Sequence, residues 1–244
     1  MKRVVPLYRY LLWETVKPVC VFYAIVLVVI TAIMLLPLFL AQSTTGYFQG
    51  NIGDLRLTAS IFLFVVGLNS FKSGFIFASA NGFTRRQYHA AVTLMLLTVA
   101  TFMTLADAGI NAVVRTAWPG LFSSWPSGSA HNGLVAQHLW QWAMNLLLVA
   151  FGLCVTMVFY RLGKIGKFAL GFSSMYVGAL VSAVDENTNN AVTGGLTAAL
   201  EALQGIGPQP NALLGALSMA VGTVLLFALA RWFIHGAPVK EQDR

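Results

Sequence analysis

The sequence predicts an all-α membrane protein of six transmembrane helices with both termini on the cytoplasmic side. It adds an N-terminal interfacial helix and a broken extracellular helix between spans five and six. Three observations predict this. Hydrophobic residues make up 57% of the 244-residue chain and charged residues only 9%, with a mean hydropathy of +0.74; a soluble globular domain carries roughly 25% charged residues. The apolar residues gather into stretches near the ~20 residues that a helix needs to cross a bilayer. Lys and Arg then occupy alternate hydrophilic segments: Lys2, Arg3, Arg9 and Lys17 before the first stretch, Lys72, Arg85 and Arg86 around the end of the second, Arg161, Lys164 and Lys167 after the fourth, and Arg231, Lys240 and Arg244 after the sixth. Only Arg56 and Arg115 fall elsewhere. Cationic loops stay in the cytoplasm, so this bias sets the orientation.

In order, residues 1–18 form the interfacial helix, 19–234 the six-span domain and 235–244 a cytoplasmic tail. Before span one, Val4–Trp13 mixes apolar, aromatic and basic residues, and Pro18 disfavours helix at Lys17, which suits a helix lying in the inner interface and a bend into the membrane. Span one covers 19–41. It exceeds the ~7–15 apolar residues of a cleaved signal and is read as retained. Spans two to six cover 57–77, 89–107, 139–160, 168–184 and 212–234.

The outer segment 108–138 holds Trp118-Pro119 and Trp125-Pro126. With Trp140 and Trp142 these suit an interfacial aromatic belt. Segment 185–211 opens on a polar run, Asp185 to Asn190, and continues as a weakly apolar helix before Gly205-Ile206-Gly207-Pro208. Span five carries Gly171, Ser174, Gly178 and Ser182 on one face, a helix-packing or conduit-lining row that lets another backbone approach.

Catalytic chemistry is poorly represented. There is no Gly-x-x-x-x-Gly-Lys-Ser/Thr loop for ATP and no metal-ligand spacing. Cys20 and Cys154 read as small buried hydrophobes. Gly171-Phe172-Ser173-Ser174 lacks the final Gly of an intramembrane serine protease, and the His that would have to activate the Ser is missing from the span interiors, since His89, His131, His138 and His235 fall at span ends or outside. The net charge of +7 follows from topology rather than nucleic-acid binding, with anionic membrane lipids as its natural neighbour. Asp107 falls at an outer span end, and Asn69, Asn111 and Asn145 serve helix-to-helix hydrogen bonding. A conduit so poor in charge suits a hydrophobic or amphipathic cargo.

One cytoplasmic segment points to a partner. Asn81-Gly82 is a turn signal, and Thr84 suits the N-cap of a helix through Arg85, Arg86, Gln87 and Tyr88. The stretch Asn81-Gly82-Phe83-Thr84-Arg85-Arg86 resembles the Asn-Gly-(Val/Phe)-(Ser/Thr)-Arg-(Arg/Lys) segment of bacterial ABC-2-type transporter permeases, whose layout the chain shares along its length. The resemblance implies a coupling helix at 80–88 that contacts a separate cytoplasmic ABC ATPase dimer through Asn81, Gly82, Phe83, Thr84, Arg85, Arg86 and Tyr88. Arg161, Lys164 and Lys167 would be a second contact. It further implies pairing with a second permease copy or homologue, export as the direction, and a bacterial plasma-membrane location. ATP and Mg would bind the partner ATPase, with no cofactor on this chain. The alternative is a membrane protein that does not pump: a sensor, an immunity protein, or the substrate-binding subunit of a vitamin importer.

Overall fold

In lipid a chain segment must satisfy its own backbone hydrogen bonds, so long apolar stretches fold as helices even where they are rich in β-branched residues. The computed structural model describes residues 4–40, 55–117, 133–162, 164–188, 190–206 and 211–235. The Trp-Pro pairs of 118–132, the Gly207-Pro208 turn and the tail 236–244 lie outside the described residues, as do the side chains of Lys164, Gly171 and Ser174. All regular structure among the described residues is helical: α1 (Val4–Leu40), α2 (Leu55–Asn69), α3 (Lys72–Ala80), α4 (Arg85–Ala117), α5 (Gly133–Arg161), α6 (Lys164–Asn187), α7 (Ala191–Gln204) and α8 (Ala212–His235). Among the described residues, five segments are long and apolar enough to cross a membrane: Val4–Ala32, Leu57–Ala80, Arg85–Val114, Val135–Arg161 and Ala212–His235. The chain is thus a multi-pass helical membrane protein. The fifth expected span corresponds to α6, which is not among these five segments.

Helix directions follow from which residues meet. Ser60 bonds Asn145 and Leu68 meets Thr156, so α2 and α5 run parallel. Gly215 lies against Trp140, Gly222 against Leu147 and Cys154 against Leu226, so α8 runs with them. α4 runs the opposite way: His89 meets Phe227, while Arg85 reaches Ile234. The start of α1, the α3–α4 turn, the end of α5 and the end of α8 therefore share one end of the bundle. It also carries Lys17, Lys72, Arg86, Arg161 and Arg231, and is called the basic end below.

α2 and α5 cross with their backbones in contact. A Cβ on Gly67 would lie 2.3 Å from the Val149 carbonyl oxygen, and one on Gly152 would lie 2.3 Å from that of Phe64. Backbone therefore touches backbone, the geometry that small residues permit where hydrophobic burial gives no drive between helices in lipid. The core grows from this crossing through Leu63, Val149, Ala150 and Leu153 to Met95, Leu96 and Met103 of α4.

Two helices differ from expectation. α1 continues unbroken through Lys17-Pro18, where a separate interfacial helix was expected to end; proline can stay inside a helix when it only bends it. The contacts change sense around it. Tyr8 meets Thr98 and Thr15 meets Met95, so the first segment crosses α4. Tyr23 then meets Met103 and Ile30 packs with Val114, so the remainder climbs along α4. The second span is instead interrupted at Ser70-Phe71, giving α2 and α3.

Candidate functional site

The basic end is organised around the α3–α4 turn, and its construction is local. Asn81 caps α3, and Gly82 takes a left-handed φ of 72°, a conformation nearly free for glycine and costly for other residues. The Gly82 N–H donates to Ser79 O at 3.2 Å and the Phe83 N–H to Ala78 O at 3.0 Å, the paired bonds of a Schellman C-cap. Thr84 then opens α4: its N–H donates to Gln87 Oε1 at 2.9 Å, and the Gln87 N–H donates back to Thr84 Oγ1 at 3.3 Å. This reciprocal pair is a capping box. Two helix ends are satisfied within a few residues, so the turn is a rigid corner.

The expected coupling residues divide between surface and interior. There is no separate short helix, because Arg85 to Tyr88 are the first turn of the 33-residue α4. Asn81, Gly82, Thr84 and Arg86 are exposed. Phe83 is half-buried against the core. Tyr88, expected on the contact surface, is 1% exposed, packed edge-on to Phe71 and Phe75. It is corrected here to a core residue. Its hydroxyl lies 2.9 Å from Ser70 O and 3.1 Å from Phe71 O, and Thr156 donates to Leu68 O at 2.6 Å. These are carbonyls around the break between α2 and α3. A break at membrane depth persists only when its freed backbone groups find partners, and Tyr88 with Thr156 supplies them.

Arg85 is half-buried and reaches across to α8. Its Nη1 donates to Ile234 O at 3.3 Å and to His235 O, capping the C-terminus of α8, where the last carbonyls have no helical partner and the helix dipole favours a cation. One turn further along α4, His89 Nε2 sits 3.1 Å from Phe227 O. The corner is thereby tied to α8 at two levels. At the α5 end, Arg161 lies against Trp232 and Phe233 of α8. Lys167 is exposed on α6.

Of the span-five row, the two described side-chain positions, Gly178 and Ser182, are not packed within this chain. A Cβ on Gly178 would meet nothing within 4 Å, and Ser182 is exposed. The backbone contact that such rows predict occurs at Gly67 and Gly152 instead.

A second constellation lies inside the bundle. Ser60 Oγ donates to Asn145 Oδ1 at 2.6 Å, Gln141 Nε2 reaches both at 3.1 Å, and Asn145 Nδ2 donates to Thr104 Oγ1 at 2.8 Å. The Thr104 hydroxyl in turn donates to Ala100 O at 2.9 Å, so three helices share one network. One turn on, Asp107 is buried and accepts from Tyr23 of α1 at 3.0 Å. Asp107 was expected at a span end, but α4 runs on to Ala117 and leaves it within the bundle. Of the flagged asparagines, Asn145 bonds between helices, whereas Asn69 bonds Val65 O of its own helix.

At the opposite end, Asn190 bridges α6 and α7 with φ 60°. Asp185 accepts from the Val192 N–H at 2.9 Å and from the Thr193 N–H at 3.1 Å, so a residue of α6 caps the first turn of α7. Hydrogen bonding from Thr193, then from Val192, holds its carboxyl below the usual carboxylate range against the opposing effect of desolvation.

The fold and these contacts define a multi-pass helical membrane protein with a rigid basic corner and a buried polar layer. No family model, curated protein or solved structure matches the chain.

Proposed function

We propose that this chain is the permease subunit of an ATP-driven ABC transporter of the ABC-2 type, an exporter of the bacterial plasma membrane, coupled to a separate ATPase through the α3–α4 corner. α6 is then the fifth of six spans; its 24 residues extend about 36 Å, enough to cross a hydrocarbon core of ~30 Å. The basic end faces the cytoplasm in this reading.

The observation that carries the reading is the corner itself. A surface that receives a push must be stiff and must be connected to what moves. The corner is closed by a Schellman cap and a capping box, and is tied to α8 by Arg85 and His89. Exposed Arg86, with Asn81, Gly82 and Thr84, is left for the partner; arginine is enriched at such interfaces. Arg85 then passes displacement onward to α8 rather than touching the ATPase.

The test is affinity purification of the tagged chain from its native membrane in mild detergent, with mass spectrometry of what accompanies it. A stoichiometric P-loop ATPase is expected, and Arg86→Glu is expected to lose it while the chain still inserts. Recovery of the chain alone, under conditions that preserve a known permease–ATPase pair, overturns the reading in favour of a stand-alone binder or sensor.

A further inference from the structure

We propose that Asp107 is a proton-binding site inside the bundle, and that the Tyr23 hydroxyl is its partner in both the protonated and the ionised state. Asp107 is 7% exposed and lies within Arg85–Val114, a segment long and apolar enough to cross a membrane. An acid carried inside such a segment is costly and by default points to function. Tyr23 of α1 brings one proton to two acceptors: its Oη lies 2.9 Å from Met103 O and 3.0 Å from Asp107 Oδ1. With the carboxylate ionised, the hydroxyl donates to it. When a proton binds at Oδ1, Tyr23 donates to Met103 O instead and accepts from the new acid O–H. The same side chains satisfy both states without moving a helix, which is what a reversible proton site needs.

Position sets where the proton comes from. At ~1.5 Å per residue, Asp107 stands about 33 Å along α4 from Arg85 but about 15 Å from Ala117. Water at the end opposite the basic end is therefore the nearer source. Around this level α1 offers only Tyr23, while Arg56 stands one turn before Ser60 on α2 and His138 one turn before Gln141 on α5. α3 and α8 meet α4 nearer the basic end, at Tyr88, His89 and Arg85. A fixed positive charge from α2 or α5 would keep Asp107 ionised at every pH, an outcome that the experiment separates from proton binding. A carboxylate accepts a stronger hydrogen bond than a neutral acid, so the α1–α4 contact tightens when the proton leaves. The inference does not depend on the transporter reading.

Infrared difference spectroscopy of the full chain in lipid, with the pH stepped between about 5 and 8, the range of physiological proton switches, tests it. A protonated carboxyl gives a C=O band above the amide region. Wild type is expected to show such a band that falls as pH rises, shifts on isotopic labelling of aspartate carboxyls, and is lost in Asp107→Asn. Asp107→Glu should restore a pH-dependent band that no longer follows the aspartate label, so the assignment holds even where the Asn variant folds poorly. Tyr23→Phe should keep the band and move its midpoint by about one pH unit, the weight of one hydrogen bond to a charged group. Absence of any aspartate band across the range overturns the proposal, because Asp107 then stays ionised. An aspartate band that ignores pH overturns it equally, since the acid would then be a permanent hydrogen-bond donor. An unchanged midpoint in Tyr23→Phe overturns the part assigned to Tyr23.

Discussion

Tyr88 shows how one side chain decides what a segment does. In sequence it stands two residues from Arg86, yet a helix turns about 100° per residue, so Arg86 faces out while Tyr88 enters the core. There its hydroxyl meets two carbonyls at the α2–α3 break. Tyr88→Phe keeps the ring packing and removes the donor, so it should cost about 1–2 kcal/mol. The measurement is thermal unfolding in detergent together with amide exchange over 70–75; unchanged stability and exchange would remove Tyr88 from its role at the break. Thr84-x-x-Gln87 was legible as half of a capping box, since Thr84 reads as an N-cap; the returning bond from Gln87 follows from the same motif. Arg85 capping α8 was not legible, because its acceptors lie about 150 positions away.

Between elements, contact geometry separates glycines that look alike in sequence. Gly152→Leu should disrupt the α2–α5 crossing, at the upper end of the ~1–3 kcal/mol typical of overpacking or beyond, because the intruded atom is backbone and cannot rotate away. Gly178→Leu should leave the stability of the single chain within about 0.5 kcal/mol of wild type. Parallel detergent melts compare the two, and equal losses would contradict the crossing. The α6–α7 junction responds to pH through Asp185. Its folded carboxyl is held below the ordinary value of about 3.9. The contribution is therefore present above that value and is lost as pH falls through the lower, folded one. Amide exchange at Val192 and Thr193, corrected for intrinsic rates, should rise on acidification, and Asp185→Asn should remove that pH dependence.

At the scale of the whole molecule, the parallel set α2, α5 and α8 and the opposed α4 put the helix ends bearing Lys72, Arg86, Arg161 and Arg231 together. Fusions to the C-terminus should accordingly report the cytoplasm: a fluorescent protein that folds only there should glow, and a periplasm-dependent phosphatase should stay inactive. The opposite pattern would invert the topology. The sequence by itself determined the helical membrane class and the alternation of charge, because lipid forbids unpaired backbone and charge, and both constraints act on local composition. Only the tertiary structure decided that Gly67 and Gly152 bring two backbones into contact, that Ser60, Thr104, Gln141 and Asn145 share one network, and that Arg85 serves α8. Those depend on which helices become neighbours and at what register, and no single segment carries that information.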